Sequence, residues 1–99
     1  MNDALSKIYD DLNELVMRKI PHDKELLSTR IIKEHTKICE YTFNIINSNR
    51  DKNYMLEFKV SVKYILFVLE YFVSKKIINE EVYKTFEKKY KNLYFLVNP

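Results

Sequence analysis

Residues 55–97, MLEFKVSVKYILFVLEYFVSKKIINEEVYKTFEKKYKNLYFLV, decide the fold. Met55, Phe58, Val62, Ile65, Leu69 and Phe72 recur at steps of three and four, the spacing that lines up side chains on one face of an α-helix. Val82, Phe86, Tyr90, Leu93 and Val97 resume the same pattern after a break. The connection from Lys76 to Asn79 leaves room only for a reversal of direction. Asn79 reads as an N-cap, with Glu80 and Glu81 at the positive end of the helix dipole. Two antiparallel helices follow, the first beginning after Asp51 and reaching Lys75 or Lys76, the second beginning after Asn79.

Toward the amino end, Leu5, Ile8, Tyr9, Leu12, Leu15 and Val16 predict an amphipathic helix with Asn2 or Asp3 as its cap. It ends near Lys19, because Pro21 disfavours helical geometry at Ile20 and Arg18 and Lys19 suit a helix carboxyl end. Asp23 is the expected cap of the next helix, which runs to about Asn47 on Leu27, Ile31, Ile38, Thr42 and Ile45. A second row of Ile32, Cys39, Phe43 and Ile46 widens its apolar face enough to touch two neighbours. The run Asn47-Ser48-Asn49-Arg50-Asp51 is the mid-chain loop. No segment alternates with period two between turn residues, so strands are not expected. The fold class is all-α, an antiparallel up-and-down four-helix bundle forming a single domain over residues 1–99.

The chain contains no glycine, where ordinary usage of about 7% would give about seven in 99 residues. Glycine adopts positive φ without steric cost. Its absence excludes glycine-rich phosphate loops, dinucleotide turns and nucleophile elbows. Helix faces are then what remains to carry function. A chain this short buries only about 60–65% of its unfolded surface, which favours association with a partner or with further copies. The lone Cys39 rules out an internal disulfide framework and is expected to be a small buried apolar residue. The amino end has no apolar signal core, and the longest apolar run, Tyr64 to Val73, contains Glu70 and is about half of a membrane span. A cytoplasmic protein is expected.

Chemistry-bearing clusters are few. Arg30 and His35 have a spacing that could bracket a phosphodiester, but His35 falls in the core stripe beside Ile31, Ile38 and Thr42, where a hydrogen-bonded interior or interface histidine is the better account. His22 has no second ligand at metal spacing, and Asp10, Asp11 and Glu14 read as a solvated face. No nucleophile–base order and no metal cluster can be assembled. Neither enzymatic activity nor a cofactor is expected.

The basic residues carry more. Net charge is +3, with nine Lys against six acids in residues 51–99 and an even balance of eight and eight before them. Lys59 and Lys63 share a face of the third helix, as do Lys84, Lys88 and Lys91 on the fourth. Either these rows are solubilising faces, or copies of the chain sum them into a field that holds an anionic polymer. Tyr90, Tyr94 and Phe95 could stack on bases or serve packing. Tyr64, Phe67, Val68 and Tyr71 lie off the core stripe of the third helix, which makes its second half apolar nearly all round. Self-association through Tyr64, Phe67, Tyr71, Tyr94 and Phe95 is the expectation.

The stretch from Leu12 to Leu15, then Ile20-Pro21-His22-Asp23-Lys24-Glu25-Leu26-Leu27 and Arg30-Ile31, resembles the opening of a bacterial four-helix-bundle family. That family includes the accessory variability determinants of diversity-generating retroelements and the proteins encoded by intervening sequences in large-subunit ribosomal RNA genes. Leu66 to Leu69 followed by Lys75-Lys76-Ile77-Ile78-Asn79-Glu80-Glu81-Val82-Tyr83 is similar to its joint between helices three and four. The resemblance implies a non-enzymatic, ring-shaped pentamer that contacts RNA or DNA and, in retroelements, a reverse transcriptase. By position, Lys59 and Lys63 fall where relatives carry basic residues and Arg30 matches the arginine of helix two. The chain departs from relatives in lacking a glycine after Leu27 and a glycine-rich tail bearing Trp. A second resemblance, to cytoplasmic bacteriocin immunity proteins, implies a monomeric bundle with a protective role, and a plain protein–protein adaptor is the third alternative.

Overall fold

The computed structural model describes residues 2–48 and 51–98, without the side chain of Asn2. Met1, Asn49, Arg50 and Pro99 lie outside the described residues, so the middle of the expected loop and the Asn2 cap do too. Four helices follow in order: α1 (Asn2–Lys19), α2 (Glu25–Asn47), α3 (Lys52–Ser74) and α4 (Glu80–Val97). No strand occurs among the described residues. Each helix packs on its neighbours in sequence, α1 closes against α4, and α2 touches α4 across the diagonal. The α2–α3 pair is the most intimate. Ser61 of α3 is buried there beside Glu34 of α2. The bundle is 41 Å long and about 23 by 21 Å across.

The joints show why the chain reverses where it does. After Pro21 the backbone coils into one 3₁₀ turn, His22–Lys24, closed by the Lys24 N–H on the Pro21 carbonyl at 3.0 Å. The expected Asp23 cap is therefore wrong: Asp23 lies inside this turn, Lys24 occupies the N-cap position, and no side chain caps α2. Asp3 likewise sits inside the first turn of α1 and not ahead of it. Asp51, expected only to precede α3, caps it by accepting from the Asn53 N–H at 2.8 Å, and Asn79 caps α4 as expected, from extended backbone, accepting from Val82 N–H at 2.9 Å.

The end of α3 has a positive-φ position although the chain has no glycine. Lys76 has φ of 60°. The Ile77 N–H reaches back to the Phe72 carbonyl and the Lys76 N–H to that of Val73, both at 2.9 Å, which is the paired closure of a Schellman cap. A lysine stands where glycine is the usual occupant. The cap folds Ile78 into the core and sets the chain up for Asn79.

The core follows the stripes. Leu5, Ile8, Leu12 and Leu15 meet Ile31, Ile38 and Ile45, then Phe58, Ile65, Leu69 and Phe72, then Phe86, Tyr90, Leu93 and Val97. Val68 belongs to it as well, against the expectation that it lies off the stripe, whereas Met55, Val62 and Val82 are half-buried. Cys39 is half-buried too, and burial raises its thiol pKa. The second row of α2 is only partly used: Ile32 and Cys39 are half-buried, but Phe43 is 67% exposed and Ile46 is exposed as well. The cause is length. α1 has 18 residues and α2 has 23, so from their shared joint α1 falls five residues, or about 7.5 Å, short of the far end of α2.

Candidate functional site

Lysines gather on the α3–α4 side of the bundle. Phe58, Val62 and Leu66 from α3 and Tyr90 and Tyr94 from α4 floor an open groove of about 240 Å³, edged by Lys59 and Lys63 on one bank and Lys91 and Glu87 on the other. The one-turn spacing of Lys59 and Lys63 sets the first bank, and α4 brings in Lys91 only because the Schellman cap turns the chain back alongside α3. Three cations thus face a single carboxylate, and Glu87 accepts a hydrogen bond from the Tyr83 hydroxyl at 3.3 Å.

Tyr94 is the polar centre of this groove. The Lys59 ammonium lies 5.1 Å from its ring centroid, and its hydroxyl accepts from Asn98 Nδ2 at 2.9 Å. Hydrogen bonding by Lys59, then by Asn98, holds the phenol pKa below its ordinary value. Its ring tilts against Phe58 at 6.2 Å and meets Phe95 edge-on at 6.1 Å. An aromatic and aliphatic floor beneath a cationic rim accepts a ligand that is anionic along one edge and flat or apolar along the other.

The other expected basic residues stand apart. Lys84 and Lys88 run along the exposed face of α4, Lys84 within 3.8 Å of Glu80. Arg30 is on the α2–α3 flank, its Nε donating to Glu34 at 3.1 Å and its guanidinium 5.1 Å from the Tyr64 ring centroid. Lys37 approaches the same carboxylate at 3.4 Å. Burial of Glu34 works to raise its pKa, but hydrogen bonds from Ser61 and Arg30 and the charge of Lys37 prevail and lower it. Arg30 thus pairs with a buried carboxylate and does not line the groove of Lys59 and Lys63.

Arg30 and His35 are not brought together either. His35 is 0% exposed, with Nε2 at 3.0 Å from the Leu5 carbonyl and Nδ1 at 2.8 Å from the Tyr90 hydroxyl. A carbonyl only accepts, so Nε2 carries the proton and Nδ1 accepts from Tyr90. It is an interior histidine joining α1, α2 and α4. Among the acidic residues of α1, Asp11 pairs with Lys89 of α4 and Glu14 with Arg18. No three His, Cys, Asp or Glu side chains among the described residues gather closely enough to hold a metal ion.

The five aromatic residues expected at an interface divide. Tyr64 and Tyr71 are half-buried, Tyr64 beneath Arg30 and Tyr71 flanked by Lys24 and Lys75, each 5.8 Å from its ring centroid. Tyr94 lines the groove, and Phe67 and Phe95 are exposed, Phe67 at 70%. Sequence reasoning missed Leu56, 61% exposed, and Val60, which precede Phe67 on the outer face of α3. Their signal was present as a second stripe behind the core stripe. A larger cleft, about 480 Å³, lies between α1 and α2 beside Val16, Met17, Ile20 and Ile32, with His22 and Glu25 as its titratable lining residues.

Among the described residues no helix is long and apolar enough to cross a membrane. No protein-family model matches the chain, and neither a curated protein nor a solved structure matches it.

Proposed function

We propose that this chain is a non-enzymatic, self-associating four-helix bundle that holds RNA or DNA, alone or with a protein such as a reverse transcriptase, on its lysine-edged α3–α4 face. The observation that carries this reading is the convergence of Lys59, Lys63 and Lys91 round a groove whose half-buried lining includes Val62, Leu66 and Tyr94. Phosphates engage the rim and bases rest on the floor, without sequence readout. Lys84 and Lys88 extend the positive field along α4. The bacterial family that the sequence resembles uses such bundles as oligomeric accessories, and closure into a ring is one way of multiplying the basic face.

Titration of labelled single-stranded RNA and duplex DNA across salt concentrations tests it. Affinity falls linearly on a log–log plot with added salt. Changing Lys59→Glu and Lys91→Glu together lowers the magnitude of that slope by about 2, roughly one for each lysine that no longer neutralises a phosphate. Flat, weak binding at low salt would remove the proposal.

A further inference from the structure

The outer face of α3 carries a seam that the core does not use. Leu56, Val60, Lys63, Phe67, Glu70 and Ser74 follow one another at steps of four and three, and all are exposed. This is the spacing by which one helix packs lengthwise on another. At its centre Phe67 projects into solvent between Lys63, four residues before it, and Glu70, three after it. Neither charge has an ion-pair partner among the described residues.

We infer that the occupant of this seam is a second copy of the same chain, with the two α3 helices antiparallel about a two-fold axis beside Phe67. The charge order selects this partner. Opposite charges placed on either side of a centre are complementary to themselves when the direction is reversed: Lys63 of each copy meets Glu70 of the other, with the two Phe67 rings between them. A parallel pairing in register would set like against like. The inference rests on the self-association in the proposed function and gives it a geometry.

That geometry has a consequence for the lysine-edged groove. A two-fold axis perpendicular to α3 and lying in the contact plane exchanges front with back and top with bottom, but leaves each side where it was. In the pair Lys63 is taken up by Glu70 of the other copy, so both copies present α4, with Lys59 and Lys91 as the free cations of each groove, on one side of the pair. Two grooves facing the same way let one polyanion span both, which raises affinity without any new type of contact.

The test is sedimentation velocity across a concentration series on four samples of the full chain: Lys63→Glu, Glu70→Lys, their equimolar mixture, and the chain carrying both changes. Circular dichroism checks that each exposed substitution leaves the helices formed. Each single variant weakens the pair about tenfold or more, since symmetry repeats the like-charge contact twice. The mixture recovers as a heterodimer and the double variant as a homodimer, because both restore opposite charges across the axis. If the wild-type chain associates but the swaps change nothing, or the mixture fails to recover, the α3 pairing is overturned while self-association stands. A wild-type chain that stays monomeric at every concentration overturns both, and leaves the nucleic-acid reading to its own salt titration.

Discussion

A fully buried imidazole has two nitrogens to satisfy, and His35 satisfies them with groups from two other helices, the Leu5 carbonyl of α1 and the Tyr90 hydroxyl of α4. Removing either partner leaves a polar atom in the core. Tyr90→Phe strands the Nδ1 lone pair and is expected to cost about 1–3 kcal/mol in urea unfolding. The same burial fixes a pH dependence. Desolvation lowers the His35 pKa below its ordinary value despite the Leu5 carbonyl, which favours the proton. The unfolded chain therefore takes up a proton near pH 6.5 while the folded chain stays neutral. Stability from this residue is present above pH 6.5 and is lost as pH falls below it through the folded-state pKa. Melting temperatures measured from pH 8 to pH 5 should show that fall, and His35→Leu should flatten the part of it due to this group.

At the scale of the element, the α3–α4 joint concentrates the testable energetics. Lys76 occupies the left-handed region, where a side chain with a Cβ costs roughly 1–2 kcal/mol. Lys76→Gly removes that cost and gives back part of it as unfolded-chain entropy, so a net gain of about 1 kcal/mol is expected by denaturant unfolding. Asn79→Ala deletes the acceptor for the Val82 N–H and should lower stability by about 1 kcal/mol in the same measurement. The two changes act on one joint in opposite directions, and both bear on the proposed function because this joint sets Lys91 opposite Lys59 and Lys63. The joint was legible in the sequence as far as Asn79, since a cap is a local device. The lysine cap was not, because the preference for glycine at positive φ is steric and the Phe72 and Val73 carbonyls that stabilise the exception come from the end of α3 itself.

For the whole molecule, unequal helix length matters most. α1 and α4 have 18 residues each, α2 and α3 have 23, and both short helices meet the long pair at the end carrying their joints. The α2–α3 hairpin overhangs the other end and leaves Phe43 and Ile46 uncovered. The proposed pairing along α3 would stabilise the bundle by mass action. Its melting temperature should then rise with protein concentration, and Glu70→Lys should shift that rise to concentrations about tenfold or more higher.

The sequence by itself determined four helices, their order, the asparagine cap ahead of α4 and most of the core, because periodicity and capping are properties of neighbouring residues. It also marked His35 as interior, from its place among Ile31, Ile38 and Thr42. Only the tertiary structure decided which cations lie round one groove. Arg30, like Lys59, is a cation over a tyrosine ring, but its ring is Tyr64, outside the groove, and it pairs with buried Glu34 on its own helix. Only the packed bundle, likewise, separated half-buried Tyr64 from exposed Phe67, three residues further along the same helix. That step rotates a side chain by most of a helical turn, and which rotation faces a neighbour depends on where α2 lies, a fact that no local pattern in α3 contains.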